Sequence, residues 1–238
     1  MSNTYFRFKQ FTIFHDKCAM KVGTDGVLLG AWADCSEAKR ILDIGAGTGL
    51  IAIMLAQRSE GRIDAVEIEE SAYGQAFENA GRSPWKDRIR VHHISFGEYQ
   101  HAVQPRCYDL IVTNPPYFPN SLKPHSGERS MARHNDSLDM DILLTGAVRL
   151  LSDTGNFSLI VPFHNAEKNI ETARSKELFC CRKSDVVPVP GKPPKRALLE
   201  FRREQAATEE NTIIIEDNGR HGYSVAYKEL TKDFYLAF

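Results

Sequence analysis

The chain predicts an α/β fold built on a doubly wound, mostly parallel sheet, and three observations carry that expectation. Strand-like and helix-like apolar patterns alternate regularly from Arg40 onward. The first strand of the series, Arg40-Ile41-Leu42-Asp43-Ile44, runs into Gly45-Ala46-Gly47-Thr48-Gly49 and then a helical pattern at Leu50, Ile51, Ile53, Met54 and Leu55. Strand, glycine loop and helix in that order open a nucleotide-binding sheet of this class. The next strand, Ile63-Asp64-Ala65-Val66-Glu67, ends on a carboxylate about 20 residues further on, the place for an acid that holds ribose hydroxyls.

Taken in order, the segment 1–22 places Phe6, Phe8, Phe11, Ile13 and Phe14 in a partly alternating pattern, which predicts a short hairpin. Gly23-Thr24-Asp25-Gly26 precedes the apolar stretch Val27 to Trp32 and predicts a helix capped by Thr24 or Asp25. Strands are expected near 40–44, 63–68, 89–95, 107–113 and 156–162, and helices near 49–58, 70–81, 137–151 and 165–178. Pro188, Pro190, Pro193 and Pro194 with Gly191 break the next segment, so strands near 182–190 and 196–203 form a proline-rimmed hairpin. The polar stretch Glu204–Asn211 reads as a connector, Thr212–Glu216 as one more strand, and Ser224–Leu236 as a closing amphipathic helix. The whole reads as one domain of residues 1–238: an N-terminal hairpin and helix in 1–35, a core in 36–203 and a C-terminal extension in 204–238.

The strand Tyr108 to Thr113 ends in Asn114-Pro115-Pro116-Tyr117. Two consecutive prolines lack N–H groups and cannot continue a central strand, and each restricts the residue before it to extended backbone. One side-chain amide oxygen and free backbone carbonyls are thus held in a stiff array before an aromatic face. Such an array accepts hydrogen bonds from an –NH2 group while the ring stacks on the planar system carrying it. A strand simply stopped by prolines is the bland alternative. The glycine loop is G-x-G-x-G with Leu50 where a dinucleotide fingerprint wants glycine, and Asp43 just before it would repel a pyrophosphate but suits a cationic aminoacyl group. The long stretch Phe118–Asp136 carries Lys123, His125, Arg129, Arg133 and His134, charges suited to phosphate positioning or to a solvated loop.

Bulk properties exclude several classes. With 238 residues, 42% apolar and 26% charged, the chain has the make-up of a soluble α/β domain. A net charge of −1 supplies no global field for nucleic acid, so any RNA contact needs local basic patches. No 18-residue apolar run or signal-peptide core is present, so a cytoplasmic protein without membrane association is expected. The five cysteines lack C-x-x-C spacing, which argues against zinc and against a disulfide framework; no metal is expected, and Cys180-Cys181 reads as strand packing. His92 and His93 read as ordinary strand residues, Glu69 and Glu70 as a solvated helix start, and Lys192, Lys195, Arg196, Arg202 and Arg203 as exposed hairpin charges, with a phosphate-contacting patch as the alternative.

Asp43 to Gly49, Glu67 and Asn114 to Tyr117 together resemble the motifs of Rossmann-like class I S-adenosylmethionine-dependent methyltransferases that act on exocyclic or amide nitrogens. More narrowly, Phe8-Lys9-Gln10-Phe11, Cys18 to Gly26, Leu29-Gly30-Ala31-Trp32, Ser83-Pro84-Trp85 and Phe234-Tyr235-Leu236 resemble the bacterial family that methylates N6 of adenine 37 in valine tRNA. The resemblance covers nearly the whole chain. It implies a mostly parallel seven-stranded sheet with helices on both faces and an antiparallel last hairpin. It also implies S-adenosylmethionine as cofactor and tRNA as partner; a monomer is expected. By the same resemblance Asp43, Gly45, Gly47 and Gly49 line the cofactor's methionine and ribose end, Glu67 holds the ribose diol, and Thr24 with its neighbours Lys21 and Asp25 lies in the block that closes over the methionine. Asn114 and the Pro115 carbonyl, with Pro116 beside them, receive the target amine, Tyr117 stacks on the base, and Lys123, Arg129 and Arg133 reach the RNA. Where the family has an acid after the third strand, this chain has Ser95, which implies a weaker adenine contact or a backbone substitute, with Phe96 packing on the ring. A protein glutamine amide or an adenine in another RNA or DNA fits the same Asn-Pro-Pro-Tyr motif. A nicotinamide oxidoreductase and a non-enzymatic RNA-binding scaffold are the further alternatives.

Overall fold

The computed structural model describes residues 3–18, 20–116 and 140–238. Two short strands, β1 (Tyr5–Arg7) and β2 (Thr12–Phe14), form the N-terminal hairpin, paired antiparallel with Phe6 opposite Ile13. Helix α1 (Thr24–Trp32) follows, and then the alternating core: β3 (Arg40–Ile44), α2 (Leu50–Arg58), β4 (Arg62–Glu67), α3 (Glu70–Arg82), β5 (Ile89–His93), α4 (Phe96–Ala102) and β6 (Tyr108–Thr113). The rest of the chain supplies α5 (Met140–Leu150), β7 (Leu151–Pro162), α6 (Ala166–Arg174), β8 (Phe179–Val187), β9 (Arg196–Arg202), β10 (Glu209–Ile214) and α7 (Val225–Thr231).

The main sheet runs β10-β8-β9-β7-β6-β3-β4-β5. All neighbours are parallel except at β9, which is antiparallel to both β7 and β8. The seven strands implied for the core are present with the expected antiparallel hairpin, and the further strand expected over Thr212–Glu216 is β10, which starts three residues earlier and adds an eighth strand at the sheet edge. The order reverses between β3 and β6, so the crevice outside their carboxyl ends is where a doubly wound sheet binds its ligand.

Side chains alternate across the strands because the backbone repeats every two residues. Ile41, Leu110, Val112, Ile160 and Leu198 face α1 and α2, whereas Leu42, Ile44, Ile111, Leu159 and Leu199 face α4, α5 and α6. Both sheet faces are covered, which is why these strands read as continuous apolar runs. Helix α1 lies close on α2 because both contact positions are glycine: a Cβ on Gly26 would meet Leu50 at 3.1 Å, and one on Gly30 would meet Met54 at 2.8 Å. The other end of α1 is tied to β8, where the Trp32 indole N–H donates to Ser184 at 2.9 Å and the Arg182 guanidinium lies 3.7 Å from the Trp32 ring centre.

Two local expectations change. Neither Thr24 nor Asp25 caps α1; Gly23 occupies the cap position without a side-chain bond, and Asp25 pairs instead with Arg196 of β9 at 2.7 Å. Helix α4 arises where no helix is expected. Ser95 caps it, accepting from the Glu98 N–H at 3.1 Å while its hydroxyl donates to the Glu98 carboxylate at 2.6 Å.

Candidate active site

The glycine loop leaves β3 through three left-handed residues, with φ of +71° at Gly45, +56° at Gly47 and +78° at Gly49. Only glycine takes these angles without penalty. At Gly45 and Gly47 an added Cβ would meet nothing within 4 Å, so the loop faces open space. The loop is pinned to β4: the N–H groups of Gly45 and Ala46 donate to the Val66 carbonyl at 2.9 and 3.1 Å, and that of Gly47 to Glu67 Oε2 at 2.8 Å. Glu67 Oε1 accepts from the N–H groups of Ile68 and Glu69 at 2.8 and 2.9 Å. Three backbone donors thereby orient the Glu67 carboxylate, leaving lone pairs for a ligand hydroxyl.

Asp43 is fully buried beneath this loop. Its Oδ2 accepts from Ala52 N–H in the first turn of α2 at 3.1 Å, and its Oδ1 has no partner. Burial pushes its pKa up to about 7; the Ala52 bond opposes the rise and the Glu67 charge adds to it. A buried carboxylate with an orphan oxygen is costly unless a ligand completes it. An open glycine cradle, this orphan acceptor and the oriented Glu67 fit a group carrying hydroxyls and positive charge, which is the donor set of S-adenosylmethionine.

Asn114, Pro115 and Pro116 follow β6 on the neighbouring strand end. Thr113, fully buried, pairs with Ile44 in register and donates its hydroxyl to the Ile44 carbonyl at 2.9 Å, setting Asn114 beside Gly45 across the point where the strand order reverses. Asn114 and Pro116 are half-buried and Pro115 is buried. Tyr117, Lys123, Arg129 and Arg133 lie outside the described residues. Lys21 and Thr24 are exposed, Thr24 opening α1 two residues before the Gly26 contact with Leu50 beside the glycine loop.

Ser95 spends its hydroxyl on the α4 cap. Phe96 is buried against Gly146 of α5, where a Cβ would come within 2.5 Å of its ring. Glu69 caps α3 through Ser71 and Ala72, with its carboxyl held below the usual range by the Ser71 hydroxyl and these backbone donors. His92 bonds Asp64 at 2.9 Å and His93 stacks on Tyr73, as strand residues. Among the described residues no group of three His, Cys, Asp or Glu is placed to hold a metal ion, and no helix is long and apolar enough to cross a membrane.

Sequence reasoning missed Gln75 and Asn79, which knit the N-terminal segment to the loop. Asn79 donates to the carbonyls of Thr48 at 2.9 Å and Phe14 at 2.8 Å and accepts from Phe14 N–H at 3.0 Å. Gln75 accepts from Lys17 N–H at 3.1 Å. Their signal was two polar residues four apart on the buried face of α3, among Ala72, Ala76 and Ala80.

Residues 20–173 match the family model described as methyltransferase small domain. The chain is 51% identical over 240 residues to the tRNA1(Val) (adenine(37)-N6)-methyltransferase of Bacteroides thetaiotaomicron, covering 99% of both chains. It is likewise 51% identical over 241 residues to the protein of that name from Trichodesmium erythraeum, covering all of both. Among solved structures, a predicted O-methyltransferase from Agrobacterium tumefaciens superimposes with a TM-score of 0.70 at 19% identity, over 88% of this chain and 96% of that one. Such low identity speaks for the fold alone, but half identity from end to end speaks for descent: the chain belongs to the methyltransferase small domain family, alongside those tRNA1(Val) (adenine(37)-N6)-methyltransferases.

Proposed function

We propose that this chain methylates N6 of an adenine in tRNA, position 37 of valine tRNA, with S-adenosylmethionine as donor. The observation that carries the reading is the register of β3 and β6, which sets Asn114-Pro115-Pro116 directly beside a glycine cradle backed by Asp43 and Glu67. The names and near-complete coverage of the relatives support the substrate.

When bound, S-adenosylmethionine supplies an electrophilic methyl group on a sulfonium sulfur. Asp43, Gly45, Gly47 and Gly49 would hold its methionine and ribose end, and Glu67 its ribose hydroxyls. Lys21 and Thr24 would close over the methionine, and the Ser95–Phe96 corner would border its adenine. The Asn114 side-chain oxygen and the Pro115 carbonyl are acceptors, and they orient the adenine amine by taking its two N–H hydrogens. An exocyclic adenine nitrogen is a weak nucleophile because its lone pair is shared with the ring. Hydrogen bonds accepted from its N–H groups favour localised electron density on that nitrogen and fix its line of attack. The rigid Pro115-Pro116 backbone keeps those acceptors in place without reorganisation. Tyr117 would stack on the extruded base, worth roughly 1–3 kcal/mol, and Lys123, Arg129 and Arg133 would reach the flanking phosphates. An anticodon-loop base leaves its stack more readily than one in a duplex.

The test is transfer of labelled methyl to unmodified tRNA followed by nucleoside analysis. N6-methyladenosine is expected from the wild type. Asn114→Ala should abolish transfer while leaving cofactor affinity nearly intact, and unchanged turnover in that variant would remove Asn114 from the mechanism. Label in a protein band with none in RNA would move the substrate to a glutamine amide.

A further inference from the structure

Because every strand of the main sheet but β9 runs in one direction, the carboxyl ends of the other seven and the start of β9 share one edge. Asn114 divides that edge by charge. On the β3-β4-β5 side stand Asp43, Glu67, Glu69, Glu70 and Glu98, and residues 43–49, 67–71 and 93–98 contain no lysine or arginine. On the β7-β9-β8-β10 side three loops touch in a row. The Phe163 N–H after β7 donates to the Lys195 carbonyl at 3.1 Å, and the Glu216 N–H after β10 donates to the Pro188 carbonyl at 3.0 Å. These loops expose His164, Lys192, Lys195, Arg220 and His221, against the acids Glu216 and Asp217, while the neighbouring acids Glu167 and Asp185 face Lys183. Arg196 is engaged by Asp25, whereas Lys192, Lys195 and Arg220 make no ion pair among the described residues.

We propose that this second half of the edge, centred on Lys192 and Lys195 of the β8–β9 turn with Arg220 beside them, is a phosphate-binding rim that grips the RNA strand flanking the target base. The inference rests on the reading of an RNA substrate above and gives it a surface. A chain with a net charge of −1 has no overall field to attract a polyanion, so its cations must be gathered locally. The rim gathers them on the edge that carries Asn114, and on the side away from the cofactor cradle, whose acids would repel phosphate. Pro188, Pro190, Pro193 and Pro194 stiffen the turn around Gly191, whose φ is +76°. Its two lysines are therefore carried on backbone that loses little freedom on binding. Phosphate contacts of this kind set position and register, while the base is read at Asn114.

The experiment measures direct binding of unmodified tRNA and its salt dependence for three proteins: wild type, K192A/K195A, and the control K86A/R90A. Lys86 and Arg90 are exposed at the opposite edge of the sheet, around the start of β5. Affinity for S-adenosylhomocysteine, expected to be unchanged, shows that each variant is folded. For K192A/K195A, Kd should rise about tenfold near 0.1 M salt, and the slope of log affinity against log salt should become shallower by roughly 1.4, two lost contacts at about 0.7 each. Adding R220A should raise Kd further, and K86A/R90A should bind as the wild type does. Wild-type affinity and slope in K192A/K195A, or an equal loss in the control, would overturn the rim. Methyl transfer is scored separately: a wild type that binds tRNA but labels none of it refutes the proposed reaction, while the binding series still decides the surface.

Discussion

At the scale of single residues, Asp43 shows stability given up for a site. Its pKa is raised in the fold to about 7 from an ordinary 3.8, so between those values the folded chain holds a proton that the unfolded chain has released. Stability of the free protein therefore falls as pH rises through that window. Asp43→Asn removes the charge and keeps an acceptor for Ala52 N–H. At pH 8 this variant should be more stable than the wild type by about 1–4 kcal/mol, a gap that closes toward pH 5, where Asp43 itself is neutral. Its affinity for S-adenosylmethionine should fall at least about tenfold, the equivalent of one 1.4 kcal/mol contact. Thermal melts at pH 5 and 8 with a cofactor titration check both signs, and a variant no more stable than wild type at pH 8 would show that Asp43 is not under strain. Asp43 and Glu67 stand out in the sequence as candidates because strand ends beside a glycine loop are where such acids stand. Ser95 carries a second role that its place after β5 does not announce: Ser95-Phe96-Gly97-Glu98 is also a capping box, and the helix engages the hydroxyl.

Among elements, legibility followed burial. Strands β3, β4 and β6 are covered on both faces and stand out as apolar runs, whereas β10 begins with exposed Glu209, Glu210 and Asn211 at the sheet edge and reads as connector until Thr212. Helix α4 was invisible because its seven residues show little periodicity; its partner α5 makes room for it. Gly146 is the point of closest approach, where a methyl would stand 2.5 Å from the Phe96 ring and 2.7 Å from Gln100 Oε1. A buried ring between helix and sheet yields less readily than a flexible chain end. Gly146→Ala should therefore cost about 1–3 kcal/mol as an overpacked core site, although alanine is the better helix former. Urea midpoints measure this, and Phe96→Leu in the same chain should recover part of the loss. Full stability in Gly146→Ala alone would mean that α4 shifts freely, and the corner from Ser95 to Phe96 could not then hold a fixed cofactor border.

Across the whole molecule, the two ends of the chain meet, and no linear pattern announces this. Phe8 stacks on Phe11 with ring centres 4.6 Å apart, and Tyr235 comes within 5.9 Å of both Phe6 and Phe8. Lys9 donates its backbone N–H to the Phe234 carbonyl at 2.8 Å and its ammonium to the Lys232 carbonyl at 2.6 Å. The blocks Phe8-Lys9-Gln10-Phe11 and Phe234-Tyr235-Leu236, read separately in the sequence, are thus two sides of one contact. That contact bears on the site, because the hairpin it clamps continues through Phe14 to Asn79 and from there to the Thr48 carbonyl in the glycine loop. Deleting residues 224–238 uncovers Phe8 and Phe11, which are buried in the intact chain, and frees the hairpin. Hydrogen exchange should then accelerate in residues 5–14 while β3 and β6 stay protected, since local opening follows lost apolar contacts. Cofactor affinity should fall in the same variant, because part of the binding free energy is then spent on reordering the hairpin. Phe234→Ala is the milder form, expected to cost about 3–5 kcal/mol as a buried aromatic truncation. If the truncated chain is folded, exchanges rapidly in 5–14 and still binds cofactor as the wild type does, the N-terminal hairpin has no part in holding it, and closure over the methionine falls to α1 alone.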